Sequence, residues 1–138
     1  KSLEQEFQLR IGNIRQYMND ALALDSERVQ AIKDRLQTAI SELQVNVDEN
    51  RFEQELIYYL EKLDITEEKV RLTTHLDYFI ETIKGTEANG RKLGFITQEM
   101  GREINTMGSK ANHAQMQKLV VMMKDELEKI KEQVLNVL

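Results

Sequence analysis

The residues best suited to chemistry lie between Gly90 and Lys110. Glu99 and Glu103 are four positions apart, so one turn of a helix would bring both carboxylates to the same side. Such a pair can share a hard divalent cation, and the guanidinium of Arg102 beside it can hold a phosphate through two hydrogen bonds. The same spacing also fits an ordinary ladder of surface ion pairs. Spacing alone leaves both interpretations open.

A second group precedes it, in which Glu67 or Glu68, Arg71 and His75 follow one another at three or four positions. A carboxylate, a guanidinium and an imidazole on one helical stripe could hold a metal ion, orient a phosphate or move a proton. The alternative is a solvated helix face with an ion pair between residues one turn apart. The other histidine, His113, is expected to be a plain surface residue.

Gly94, Gly101 and Gly108 recur every seven residues and therefore lie close to one face of a helix. Each costs up to about 1 kcal/mol relative to alanine in a helix interior. A line of glycines lets another helix, or a nucleic-acid backbone, approach closely. Close helix packing is the commoner reason for such a line.

The charge of the chain is acidic but unevenly distributed. Its 138 residues carry 19 basic and 24 acidic side chains, for a net charge of −5. That total argues against a simple nucleic-acid-coating protein, which usually has a basic surface. Residues 42–68 hold nine acids against two bases, whereas residues 84–110 hold five bases against three acids. Contact with a polyanion is therefore predicted in the second stretch, where Gly90-Arg91-Lys92 could meet a phosphate at a helix start.

Composition excludes several classes of protein. Cysteine is absent, which excludes a disulfide framework, a cysteine-ligated metal site and a thiol nucleophile. No apolar run approaches the roughly 20 residues that cross a bilayer, so no membrane partner is expected. The chain opens with neither an initiating Met nor a signal segment, and we expect it to be a piece of a longer protein.

The first third of the chain predicts two helices. Proline is absent throughout, which favours long uninterrupted helices. Apolar residues at spacings of three and four fill residues 1–47, with a tight connection near Leu24 and Asp25, so an antiparallel pair is predicted there. The two stripes are Leu3, Phe7, Ile11, Ile14, Met18 and Leu22, then Val29, Ile32, Leu36, Ala39, Ile40 and Leu43.

Four more helices are predicted beyond this pair. Asp48 is expected to cap the third, and Thr66, followed by two acids, begins a fourth that ends at Gly85. Residues Thr86–Gly90 form the clearest loop before the fifth, and Asn112 caps a sixth of about 27 residues. The predicted apolar faces are Phe52, Leu56, Tyr59, Leu60 and Leu63; Leu72, Leu76, Phe79, Ile80 and Ile83; Leu93, Ile96, Met100, Ile104 and Met107; and Met116, Val120, Met123, Leu127, Ile130, Val134 and Val137.

The predicted fold is therefore all-α, an elongated antiparallel bundle of about five or six helices with a long C-terminal helix. We assign residues 1–138 to a single helical domain, with a helical hairpin over 1–47 and motif-bearing helices over 48–138. The segment 120–123 is apolar over more than one stripe, so we expect it to be covered by this bundle and by something else.

Two blocks of this sequence resemble the YicC/YloC family of bacterial proteins. The first is Asp64-Ile65-Thr66-Glu67-Glu68 with Arg71-Leu72 and His75-Leu76. The second runs from Gly90-Arg91-Lys92-Leu93 through Phe95, Gln98-Glu99-Met100 and Arg102-Glu103-Ile104-Asn105-Thr106 to Gly108-Ser109-Lys110. The match extends from about Arg51 to the C-terminus, and it departs from the family at Gly94 and Gly101, where aspartate and asparagine are usual.

The resemblance implies a cytoplasmic, oligomeric endoribonuclease that cleaves RNA with a divalent metal, typically manganese. It also implies that this chain is the C-terminal helical half and that an α/β N-terminal half is missing. On the matching residues we assign catalysis to His75, Glu99 and Glu103, and a Mn²⁺ or Mg²⁺ ion to Glu68, Glu99 and Glu103. The residues assigned to RNA are Arg71, Arg91, Lys92, Gln98, Arg102, Asn105 and Lys110.

A second hypothesis belongs to another class of function. The seam of the last helix and the acidic total also fit a non-catalytic module that forms a homo-oligomer, clamps RNA or binds a protein. On this hypothesis the catalytic residues lie in the missing half. The two hypotheses are compatible, because one half can contribute part of a composite site.

Overall fold

The structure is a computed structural model that describes residues 2–43, 48–85, 90–111 and 113–137. Within these ranges the chain is helical and forms no strand, which confirms the predicted all-α fold. The predicted loop residues 86–89 and the predicted cap Asn112 lie outside the described residues. The helices are α1 (Ser2–Ala23), α2 (Asp25–Leu43), α3 (Glu49–Leu63), α4 (Thr66–Lys84), α5 (Gly90–Lys110) and α6 (Ala114–Val134).

Four of the helices enclose the main core. In this bundle α1 packs on α6, α6 on α5, α5 on α4 and α4 on α1, so each helix has two neighbours. Each contributes the apolar stripe that its 3.6-residue period predicts. All five predicted face residues of α5 are buried, and the rings of Phe7 and Phe79 meet edge to face with centroids 5.1 Å apart.

The antiparallel pair predicted over residues 1–47 is corrected by the structure. Helix α1 packs most extensively along α6, from the other end of the chain, and shares few contacts with α2. Among the members of the predicted α2 stripe from Val29 to Ile40, whose burial the structure describes, only Ile32 is buried, and it lies outside the main core. Periodicity identifies the apolar face of a helix but not the helix that covers it, and α6 offers α1 a longer apolar surface. The assignment of 1–138 to one domain stays a prediction.

The predicted start of α3 and the predicted start and end of α4 are confirmed. The side chain of Asp48 caps α3 by accepting hydrogen bonds from the backbone N–H groups of Asn50 and Arg51. Helix α4 begins at Thr66, whose N–H and hydroxyl both donate to Asp64 Oδ1, and it ends before Gly85.

The last helix is shorter than predicted, with 21 residues instead of about 27. Its N-cap is His113, which corrects the prediction that this residue is a plain surface histidine. The Nδ1 atom of His113 accepts from the N–H of Met116, and its Nε2 atom lies 3.1 Å from Glu27 Oε1 on α2.

Helix α6 buries its predicted seam from Met116 to Val134 but leaves other apolar residues exposed. Val120 and Met123 are buried in the core, whereas Val121 and Met122 between them are exposed. The described part of the chain therefore covers only one of the two sides predicted for this segment. None of the helices in the described ranges has the length and apolarity needed to cross a bilayer.

Candidate functional site

Two carboxylates are buried where α4 meets α5, and one arginine joins them. Glu68 on α4 is 2% exposed and Glu103 on α5 is 4% exposed. Arg71 donates from Nε to Glu103 Oε1 at 3.0 Å and from Nη2 to Glu68 Oε2 at 3.2 Å. The Arg71 side chain itself is 48% exposed. Its guanidinium therefore points two nitrogens inward while part of the group faces solvent.

A lysine from the end of α5 completes this arrangement. Lys110 Nζ donates to both oxygens of Glu68, at 3.0 and 3.2 Å, and to the backbone carbonyl of Asp64 at 2.9 Å. The Lys110 side chain is a quarter exposed. We call Glu68, Arg71, Glu103 and Lys110 the charged cluster. It contains two buried anions and two cations, each of which is partly open to solvent.

Electrostatics within the charged cluster favour the protonated guanidinium of Arg71. The hydrogen bond to Glu103 is the largest influence on Arg71 and raises the pKa of its guanidinium, although burial acts in the opposite direction. Removing either carboxylate would leave a cation without its main partner, and removing a cation would leave a buried anion uncompensated. The arrangement consequently fixes the direction in which each cation points.

Arg28 on α2 holds the end of α5 in place, and sequence reasoning missed it. Its side chain is 3% exposed, and Nη1 donates to the backbone carbonyl of Lys110 at 3.1 Å. Its Nη2 lies 2.9 Å from Asp25 Oδ1. The last carbonyls of a helix need such donors, because they have no partner within the helix. Nothing in the spacing of Arg28 indicates this role, which depends on how α2 leaves α1.

His75 and Glu99 continue the row that contains the charged cluster. His75 lies one turn beyond Arg71 on α4, and Glu99 lies one turn before Glu103 on α5. Since Arg71 pairs with Glu103 across these two helices, the next turn of each brings His75 and Glu99 to the same level. Both residues are half-buried. Six of the predicted site residues therefore lie along one strip where α4 meets α5. We call this set the strip: Glu68, Arg71, His75, Glu99, Glu103 and Lys110.

The other predicted RNA contacts lie on the exposed side of α5. Arg102 is paired with Glu99 at 3.6 Å while its side chain stays 72% exposed. Lys92 Nζ lies 4.9 Å from the centre of the Tyr78 ring, a cation–π distance. The remaining three, all exposed, are Arg91, Gln98 and Asn105.

The donor set does not fit the predicted metal site. Both oxygens of Glu68 accept from Lys110, and Oε1 of Glu103 accepts from Arg71. Among the residues that the structure describes, no three His, Asp or Glu side chains are grouped so as to hold an ion. Three of the four carboxylate oxygens of Glu68 and Glu103 thus already accept hydrogen bonds from cations of the protein itself.

Two of the three aligned glycines serve close helix packing. A Cβ atom on Gly101 would lie 3.3 Å from a Leu127 methyl, and one on Gly108 would lie 3.1 Å from Val120 Cγ1. Both contacts are with α6, which confirms the packing explanation for these two positions. Gly94 has nothing within 4 Å of the same point and carries no such constraint.

Comparison with known proteins identifies a matching family and relatives. Residues 22–138 match the family described as "Endoribonuclease YicC-like, C-terminal". The chain is 38% identical over 140 residues to a protein of Clostridioides difficile named "Probable endoribonuclease YicC", covering 99% of the chain and 48% of that relative. A protein of the same name from Haemophilus influenzae is 32% identical over 135 residues, covering 92% of the chain and 47% of that relative. The chain thus spans about half the length of the curated relatives it matches.

Proposed function

The chain belongs to the YicC-like endoribonuclease family, as its C-terminal domain, and we propose that its charged cluster binds the phosphodiester backbone at an RNA-cleaving site of the full-length protein. The observation that carries this proposal is the Arg71 guanidinium, fixed by two buried carboxylates yet half open to solvent. A cation held in this way costs little further ordering when an oxyanion arrives. Arg71 is therefore suited to phosphate rather than only to holding two helices together.

The six residues of the strip divide into three pairs, and each pair has its own task. Arg71 and Lys110 bind non-bridging phosphate oxygens, while Glu68 and Glu103 position those two cations. Cleavage needs one proton taken from the attacking oxygen and one delivered to the leaving oxygen as the P–O bond breaks. Glu99 and His75 are assigned to these transfers, because they are the half-buried ionisable groups one turn along the strip.

Dependence on a divalent metal, manganese or magnesium, stays a prediction. Such an ion would supply extra polarisation of the phosphate when bound. None of the tasks above is routed through it, because both oxygens of Glu68 and Oε1 of Glu103 already accept hydrogen bonds from Lys110 and Arg71. Cleavage by the full-length protein in chelator, then with each metal restored, measures this dependence directly.

Two matched substitutions of buried glutamates test the proposed function. Glu103→Gln in the full-length protein removes the charge that positions Arg71 and should lower the rate of RNA cleavage at least about tenfold. Glu126→Gln is the control, because Glu126 is also buried and paired with an arginine but lies on α6. It should lower stability without lowering the cleavage rate. Equal cleavage by Glu103→Gln and the unsubstituted protein would refute the proposal.

A second candidate function is assembly, and the exposed apolar residues Val121 and Met122 of α6 favour it. Val121 and Met122 are 54% and 43% exposed, and Met122 lies beside a recess that Leu24 and Leu119 also line. A homo-oligomer, or the missing N-terminal domain, could cover these residues and clamp RNA against the charged cluster. Sedimentation of the full-length protein with Met122→Glu should show smaller particles, whereas an unchanged mass would contradict this role. Residence in the cytoplasm likewise stays a prediction.

A further inference from the structure

One exposed stripe of α5 joins an aromatic ring to cations and amides. Its members follow one another at steps of four, three, four and three, so they share a face of the helix. All of them are exposed. We call this set the outer stripe: Arg91, Phe95, Gln98, Arg102 and Asn105.

Phe95 is the unusual member, because it was assigned neither to the core nor to the site. It is 63% exposed, whereas Phe7 and Phe79 are buried in the core. Burying a phenyl ring would stabilise the fold by about 2 kcal/mol. The exposed ring of Phe95 does not make this contribution. This ring is therefore accessible to a partner from outside the described residues, and its neighbours decide which partner fits.

The surroundings of Phe95 favour a nucleobase over an apolar protein surface. Arg91 lies one turn before it, Gln98 one turn after it and Lys92 beside that face, so the ring is not part of a contiguous apolar patch. A flat ring flanked by cations and an amide matches a base, whose face stacks while its neighbouring phosphates need positive charge.

The outer stripe is also placed to serve the charged cluster. Glu99 lies between the two sets around the circumference of α5, and its ion pair with Arg102 joins them. From Arg91 to Arg102 the stripe is about 16 Å long at the standard helical rise, which accommodates more than one nucleotide. A strand following the outer stripe would therefore pass beside the cluster that we assign to the scissile phosphate.

We propose that Phe95 is a stacking platform for an unpaired base and that the outer stripe selects single-stranded RNA. This inference rests on the proposed function and specifies its substrate class. In a duplex both faces of each base are covered by neighbouring bases, so only a single strand or a loop can offer a face to Phe95. Arg91 and Arg102 then hold flanking phosphates, and Gln98 contacts a base edge.

Binding of labelled RNA to the full-length protein tests the proposal. The probes are a single strand of about ten nucleotides and a duplex of the same length. Phe95→Ala should weaken binding of the single strand about tenfold and change duplex binding much less. Phe95→Leu should behave like Phe95→Ala, because leucine keeps apolar area but cannot stack. Tyr58→Ala, which removes another exposed aromatic on α3, is the control and should leave both affinities unchanged.

A fluorescence measurement gives a second, independent readout. This chain contains no tryptophan, so Phe95→Trp adds an indole whose emission can be followed against the unsubstituted protein. A base stacked on it should quench the emission when the single strand is added, and Tyr58→Trp should show no quenching.

Three results would overturn the inference. They are unchanged single-strand binding by Phe95→Ala, full binding by Phe95→Leu, or a change of particle mass in either variant, which would make Phe95 an assembly contact. If any one of these results is found while Glu103→Gln still lowers the rate of RNA cleavage, the proposed function stands and only the stacking role of Phe95 fails. If the unsubstituted protein neither binds nor cuts RNA, the proposed function itself fails.

Discussion

The α4–α5 and α1–α6 interfaces each bury a glutamate beside an arginine, and they differ in what surrounds the pair. Glu103 receives Arg71, which is the one cation that the described residues bring to it. Glu126 receives three donors, with Arg10 at 3.2 Å, Asn13 at 2.9 Å and Lys129 at 3.4 Å. Arg10 also donates to Glu6. The second interface is therefore more fully satisfied within the protein.

Solvent exposure shows the same contrast. The Arg71 side chain is 48% exposed and the Arg10 side chain 22%. Burial of Glu126 is the largest single influence and pushes its pKa upward, but the hydrogen bonds from Asn13 and Arg10 and the nearby Lys129 together lower the pKa below its ordinary value. A carboxylate with several fixed donors stabilises a fold, whereas one that aims a single half-open arginine leaves that arginine able to bind something else. This difference separates a structural ion pair from a candidate site.

The largest expected effect comes from replacing Arg71 with lysine in the full-length protein, compared with the same replacement of Arg10. Arg71→Lys keeps the charge but cannot reach both carboxylates through a planar fork, so RNA cleavage should fall about a hundredfold. Arg10→Lys makes the same change at the α1–α6 interface and should leave the cleavage rate unchanged. Initial rates on a labelled RNA give both values. Similar losses in the two variants would remove the distinction between the interfaces.

A smaller effect concerns the acid sensitivity that Glu126 contributes. Its folded pKa lies below the ordinary value of 4.5, so its stabilising contribution is complete above that value and is lost as pH falls through the folded pKa. Urea unfolding at a series of pH values should therefore show a shallower loss of stability below about pH 5 in Glu126→Gln than in the unsubstituted protein.

Glu128→Gln is the control for that measurement. Glu128 lies on the same helix and pairs with Lys131, but its side chain is 66% exposed. Exposed pairs contribute little, so this variant should keep the original pH profile. Matching profiles for all three proteins would mean that the donors around Glu126 do not favour its ionised form.

Sequence reasoning predicted the elements and their apolar faces better than it predicted partners. The face of α5 from Leu93 to Met107 is buried as predicted, because helical periodicity is a local property of the chain. The neighbour of α1 was predicted wrongly, since pairing depends on surfaces far apart in sequence. The burial of Glu68 and Glu103 was also not foreseen. It depends on Arg71 and Lys110 reaching them, which spacing along one helix does not reveal.

The candidate site shows the same limit in its chemistry. Spacing grouped Glu99 with Glu103 as ligands of one ion, but Glu103 turns toward α4 and Arg71 whereas Glu99 pairs with exposed Arg102. Two carboxylates one turn apart can thus lie in different environments, because the neighbouring helix covers only part of the circumference. The exposed position of Phe95 was readable from its absence in the predicted core face, although its surroundings were not.

The smallest expected effect tests how closely α5 must lie against α6 while it presents Glu103 to α4. Gly94→Ala should raise the free energy of unfolding by about 0.5–1 kcal/mol, because nothing lies near the new methyl group and alanine favours a helix. Gly108→Ala should give no such gain, since its methyl would lie 3.1 Å from Cγ1 of buried Val120, a side chain with little rotamer freedom. Urea unfolding measures both changes. An equal gain in the two variants would show that α6 can move to make room for the new methyl group on α5. The close contact between Gly108 and α6 would then not be what positions Lys110, two residues further on, beside Glu68.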